Sequence, residues 1–395
     1  MTYVIKKLDA RSKLMTLGEM ARFDVCGFPS VFSGRNKKFQ RFKFIYPAVG
    51  KKGRCIRLFK VLQSNACEGN CFYCANRKDR DFQRISFTPD ELAKLFVQYY
   101  SRELVDGLFL SSAINRSADQ SEEKMLETVE ILRHRYGYRG YIHYKVLPGT
   151  DESIIDAAAQ LADRLSINLE APSAKCLAEL SPSKNYVLDL IGGLEKIARV
   201  NRQKPLKAGI TTQLVVGAAK ETDREILNLS RRLYQGYKLW RVYYSAFMPI
   251  LDTPLDNLPP CSSLREYRLY QADFLLRRYG FTPQELVFEK NGNLLQDRDP
   301  KLAWALRHED KFPVEVNKAD FHELIRVPGI GRISARRIVE TRKKEKFTQL
   351  DQLRRTGAVT TRAGNFLTLQ GRFYGGGEAK ATPQINEQLF LWEEL

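Results

Sequence analysis

The chain has 395 residues, room for two or three domains at about 150 residues each. Its 64 basic residues outnumber 46 acidic ones, a net charge of +18 that points to a polyanionic partner. No apolar run nears the roughly 20 residues that span a bilayer, no basic amphipathic helix has an apolar face for a membrane surface, and the N-terminus has no secretory apolar core. Nucleic acid is therefore the favoured polyanion, no membrane partner is expected, and the expected location is cytoplasmic.

Residues 1–52 read as a basic extension. Twelve Lys and Arg, from Lys6 to Lys52, face only Asp9, Glu19 and Asp24, with aromatics such as Phe23, Phe32 and Phe44 interleaved. Gly27 and Pro29 interrupt any long helix, so an irregular segment packed on the adjoining domain is expected. From residue 53 to 285 short apolar runs alternate with amphipathic stretches. Strands are predicted at 55–62, 107–112, 140–146, 164–169, 207–216 and 241–248, and helices at 89–100, 121–136, 152–162, 223–234 and 263–279. Strands alternating with helices predict an α/β fold with a parallel sheet. Six units in a row suggest a partial (β/α)6 TIM-like barrel, and a doubly wound open sheet is the competing arrangement. Residues 286–316 read as a linker with a short helix near Leu302, 317–372 as an all-α module, and 373–395 as a tail.

Seven cysteines are too few and too scattered for a disulfide framework in a chain this long. Cys26, Cys55, Cys176 and Cys261 stand apart, whereas Cys67, Cys71 and Cys74 form Cys-x3-Cys-x2-Cys directly after the first predicted strand. Three thiolates on one loop can hold three irons of a 4Fe-4S cluster and leave the fourth iron open to another ligand. Zinc or a purely electron-transfer cluster would want a fourth protein ligand, and no cysteine follows before Cys176. Gly69 lets the loop turn tightly, and Tyr73 precedes the last cysteine.

This loop, placed after the first strand of a βα series, resembles that of the radical SAM superfamily, and the resemblance covers about residues 54–260. It implies a 4Fe-4S cluster and S-adenosyl-L-methionine (SAM) as cofactors, with reductive cleavage giving a 5′-deoxyadenosyl radical, and an electron donor such as flavodoxin or ferredoxin. It also implies a cofactor shell. Ser111 and Ser112 stand where members often carry a Gly-Gly-Glu-like segment, a departure that leaves the backbone contact open. Asn168 and Glu170 occupy the rim position that reaches the ribose, with a rim salt bridge the alternative for Glu170. Gly217, at the end of the fifth strand, permits close backbone approach and suits an adenine. His143 and Lys145 share one face of the third strand by alternation and are candidates for facing the substrate. Cys176 is a candidate hydrogen-atom donor, or a buried inert thiol.

Near the C-terminus, Pro328-Gly329-Ile330-Gly331 separates two short amphipathic segments, and Arg332, Arg336 and Arg337 come directly after it. The free N–H groups of a helix start attract phosphate. The pattern resembles the helix-hairpin-helix motif, which grips the DNA backbone without reading bases, and a weaker second copy falls within 347–369. A basic extension, a radical SAM core and this module together resemble the DNA modification/repair radical SAM proteins. That likeness implies radical chemistry on a nucleotide in DNA, a monomer, and a partner similar to uracil-DNA glycosylases. Modification of RNA such as tRNA, and a non-catalytic redox-sensing DNA-binding protein, are the alternatives.

Overall fold

Seven strands form one sheet whose spatial order is the chain order: β1 (Ile45–Val49), β2 (Cys55–Leu62), β3 (Gly107–Ser111), β4 (Tyr141–Lys145), β5 (Arg164–Ser166), β6 (Ile210–Val216) and β7 (Arg241–Ala246). The computed structural model describes residues 8–23, 44–49 and 55–375. β1 pairs antiparallel with β2, and every later neighbour is parallel. A doubly wound sheet reverses its strand order at a switch point. The unbroken order here decides for the other arrangement, a sheet curled into a half-barrel. Its helices are α1 (Ala10–Met20), α2 (Pro89–Ser101), α3 (Ala118–Glu130), α4 (Glu152–Leu161), α5 (Ala174–Ala178), α6 (Gly192–Gln203) and α7 (Asp223–Tyr237).

Local chemistry explains these bounds. Thr88 and Glu91 form a capping box and Pro89 takes the first helical position, so α2 starts where its N–H groups are satisfied. Every residue of β6 is buried, as expected for a parallel strand with a hydrogen-bonded neighbour on each side. The apolar pattern carries β5 to residue 169, but the strand ends at Ser166. There the Thr212 hydroxyl takes the Leu169 N–H at 3.1 Å and donates to the Ile167 carbonyl at 2.7 Å, replacing the ladder.

The extension is not wholly irregular. Asp9 caps α1 by accepting the Ser12 N–H, Leu14 and Leu17 are fully buried, and Lys13 pairs with Glu91 at 2.7 Å. β1 adds an edge strand despite Pro47. Residues 24–43 with Cys26, the side chain of Cys55, and residues 376–395 lie outside the described part. No helix among the described residues is long and apolar enough to cross a membrane.

The chain divides into two compact units, Met1–Glu221 with Arg232–Glu266, and Thr222–Arg231 with Tyr267–Leu395. The second is helical: α8 (Ser263–Arg278, which begins in the first unit), α9 (Pro300–Arg307), α10 (Phe321–Arg326), α11 (Arg332–Thr341), α12 (Leu350–Arg355) and α13 (Thr360–Ala363). It also holds a small three-stranded sheet of β8 (Val314–Glu315), β9 (Leu367–Leu369) and β10 (Arg372–Phe373). Within 286–316, α9 buries Leu302, Ala303 and Trp304, and the Trp304 ring lies 5.4 Å from Phe281.

Candidate active site

The cysteine loop leaves β2 and is fastened at three points. The Gln63 N–H donates to the Ser111 carbonyl at 2.7 Å, Glu68 N–H to Ile114 at 2.7 Å and Phe72 N–H to Leu180 at 2.8 Å. Arg84 ties it from behind: its guanidinium donates to the carbonyls of Asn65, Asn76, Arg77, Lys78 and Arg80, at 2.7 to 3.2 Å. So held, Cys67, Cys71 and Cys74 all line one cavity of about 370 Å³. Each sulfur meets a polar group: Cys67 Sγ the Gly69 N–H at 3.3 Å, Cys74 Sγ the Asn76 N–H at 3.4 Å and Cys71 Sγ the Ser181 hydroxyl at 3.2 Å. Burial, then the neighbouring Cys71, pushes the Cys74 thiol up to about 12. A cationic group bound there would reverse that preference.

The same cavity is lined by Tyr73, Ser111, Ser112, Lys145, Asn168 and Glu170. Glu170 sits at φ 62° and is buried. Its carboxylate accepts from Lys184 Nζ at 3.0 Å and interacts with the Tyr73 hydroxyl. Burial, then Glu170 and the thiols of Cys71 and Cys74, raises the Tyr73 phenol well above its ordinary value. No sequence pattern marks Lys184. Burial works against its charge, but Cys71 and Glu170 outweigh that and hold its amine above the usual lysine range. Gln213 completes this wall, with its amide donating to the Phe23 carbonyl at 3.0 Å, and Met20 and Phe23 bring the N-terminal helix to the cavity.

In the second unit α10 and α11 are joined by Pro328-Gly329-Ile330-Gly331. Gly329 has φ +86°, and a Cβ there would stand 2.5 Å from the Val359 carbonyl oxygen, so only glycine fits. Pro328 and Ile330 are buried beneath the turn, and Lys301 Nζ donates to the Ile330 carbonyl at 2.6 Å. Gly331 caps α11 without a side chain, which leaves its first N–H groups uncovered by a cap. Arg332 is half-buried, while Arg336 and Arg337 are exposed and Arg337 also donates to the Thr356 carbonyl at 3.2 Å. α12 and α13 make a second hairpin around Gly357, joined to the first by Val359 N–H donating to the Gly329 carbonyl at 2.8 Å.

The profile of the radical SAM superfamily matches residues 61–233, and that of a helix-hairpin-helix motif matches residues 310–361. The chain thus carries a radical SAM domain followed by a helix-hairpin-helix motif. Solved structures similar to it include the FeFe-hydrogenase maturase HydG from Carboxydothermus hydrogenoformans, at 14% identity and TM-score 0.45 over 54% of this chain and 50% of that one. Methylornithine synthase (PylB) is similar at 15% identity and TM-score 0.43, over 55% and 61%. The chain thus spans about half to three fifths of the length of these structures. Among curated proteins, none is significantly similar to it in sequence.

Radical SAM proteins bind a 4Fe-4S cluster and SAM, and the residues here fit both. The three sulfurs carry N–H and O–H partners of the kind that tune cluster thiolates. Among the described residues, no three His, Cys, Asp or Glu side chains are grouped for a single ion. A cluster instead takes one sulfur per iron. Three other sequence candidates lie off the cavity wall. His143 is buried one layer below Lys145, with Nε2 2.8 Å from the Ser166 hydroxyl and its ring 4.3 Å from Phe109. Cys176 is a buried thiol on α5. Gly217 has φ +94°, but the space over it is filled by Cys261, whose Sγ would stand 2.8 Å from an added Cβ. Close approach is real there, and the side chain making it is the protein's own.

Proposed function

We propose that this chain is a radical SAM enzyme whose substrate is a nucleotide in DNA. The observation that carries the reading is the joining, in one chain of net charge +18, of a cysteine-lined cavity and a hairpin module with Arg336 and Arg337 exposed beside an uncapped helix start. Cys67, Cys71 and Cys74 would each hold one iron, leaving the fourth open for SAM. When bound, these groups supply reductive cleavage of SAM to methionine and a 5′-deoxyadenosyl radical. The chain's own residues bind and orient. Lys184 places a positive charge beside the sulfurs and against Glu170. Glu170, Asn168, Ser111, Ser112 and Tyr73 offer polar groups to the amino acid and ribose of SAM, and Lys145 and Gln213 face the space left for substrate. The half-barrel wall and α1 keep bulk water away. An electron donor is required from outside.

Pro328 to Arg332, with Arg336 and Arg337, would hold the phosphate backbone independently of base identity. Binding of duplex DNA, single-stranded DNA and tRNA, compared at one salt concentration, tests the substrate class. DNA binding that weakens steeply with salt is expected, and exclusive binding of tRNA would defeat the DNA reading in favour of RNA modification.

A further inference from the structure

We propose that residues 247–251, at the mouth of the cavity, form an apolar wedge that occupies the place of a nucleotide extruded from a nucleic-acid helix. This rests on the proposal of a nucleic-acid substrate. A cavity of about 370 Å³ is at the small end for a ligand site. A base still stacked in a duplex cannot reach the side chains that line it. Extrusion opens a gap in the stack, and an inserted apolar side chain is how proteins stabilise such a step.

The chain leaving β7 is built for this. Phe247, Met248 and Ile250 line the cavity, yet Met248 remains 57% exposed and Leu251 74%. Scattered exposed apolar residues need no explanation, but these two sit within four positions of each other at the site entrance. Their backbone is pinned while their side chains stay out. The Cys261 N–H donates to the Phe247 carbonyl at 2.8 Å, the Thr253 hydroxyl to Ile250 at 2.7 Å and Arg80 Nε to Leu251 at 3.0 Å. A second apolar tip stands on the segment Tyr186–Ile191, whose Asp189 lines the cavity while Leu188 is 74% exposed. The occupant is set by charge. The chain carries a net charge of +18, and although Arg77, Lys78 and Arg84 of the loop that anchors Leu251 are held by Asp79, Glu68 and backbone carbonyls, the chain as a whole favours a polyanion. An exposed apolar tip on a chain of this net charge suits a stacked polyanion better than the apolar face of a protein.

The test uses the full chain and two duplexes, one fully paired and one with a single 2-aminopurine opposite an abasic site. The wild type is expected to raise the 2-aminopurine fluorescence on binding and to prefer that duplex by roughly tenfold, or about 1.4 kcal/mol. The exposed double variant M248A/L251A is expected to bind the fully paired duplex within about twofold of wild type but to lose the fluorescence rise and the preference. In the M248A background, Leu251→Met is expected to restore much of both. Wild-type binding without a fluorescence rise, or a double variant that keeps it, overturns the wedge and leaves the DNA reading standing. No binding to either duplex overturns the nucleic-acid reading and the wedge with it.

Discussion

Arg84 lies ten residues after the last cysteine of the loop and touches none of the three, yet it holds their backbone. Its two terminal nitrogens donate to five carbonyls, those of Asn65, Asn76, Arg77, Lys78 and Arg80. Arg84→Met removes all five hydrogen bonds. The carbonyls of Arg77, Lys78 and Arg80 belong to a loop with exposed positions and can turn to water. Those of Asn65, which is fully buried, and Asn76, which is half-buried, have less access to it. An unsatisfied buried carbonyl costs about 1–3 kcal/mol, so the two together set a loss of about 2–6 kcal/mol, concentrated on the loop. Arg84→Lys recovers little of it, because one ammonium has three donors and no planar fork. Iron and sulfide content after anaerobic reconstitution is the assay, with the thermal midpoint beside it. Both variants should hold substoichiometric iron while the remainder of the fold melts cooperatively. Full 4Fe-4S loading in Arg84→Met, at an unchanged midpoint, would refute the reasoning.

Other consequences rest on single contacts. Gly329→Ala forces a left-handed alanine, about 1–2 kcal/mol, and sets its Cβ against the Val359 carbonyl; DNA affinity and the stability of the second unit should both fall, and unchanged binding would count against the hairpin. Lys184→Met strands a buried carboxylate at Glu170, for about 3–5 kcal/mol, and SAM binding by equilibrium dialysis should weaken at least about tenfold if Lys184 serves the cofactor. Burial, then Arg164, Lys145 and Lys60, holds the His143 imidazole well below its ordinary value, so it stays neutral when folded. The unfolded chain takes up that proton below about pH 6.5, so His143 contributes stability above that pH that is lost as the pH falls, at up to about 1.4 kcal/mol per unit. Denaturant titrations at pH 5, 6 and 7 should show a shallower acid loss in His143→Gln, and an identical slope would contradict the assignment.

The strands are legible because each is a short buried run between turn signals, and β2 has the bounds its apolar pattern implies. β1 is hidden by Pro47, which argues against a strand unless the strand lies at an edge, where this one does. α1 is hidden because the basic side chains and the breakers at 27 and 29 mask Asp9 and the buried pair Leu14 and Leu17. The cysteine loop declares itself through its spacing together with Tyr73 and its place directly after a strand. Its supports do not: Lys184 reaches Glu170 and the sulfurs only because the chain folds back after Ser173, and Arg84 acts on backbone carbonyls, which leave no mark in side-chain patterns. Gly217 shows the limit of reading one position. Its φ signals close approach, but the approaching group, Cys261, lies 44 positions on and is brought there by the pairing of 247 with 261.

Anaerobic turnover with DNA deuterated in base and sugar tests the account most directly, by mass spectrometry of the 5′-deoxyadenosine formed from SAM. The account predicts that the reduced wild-type protein forms 5′-deoxyadenosine carrying deuterium from the DNA, and that Cys71→Ala forms none. No 5′-deoxyadenosine from fully loaded protein would contradict the enzyme reading, and deuterium acquired only from labelled tRNA would contradict the DNA target.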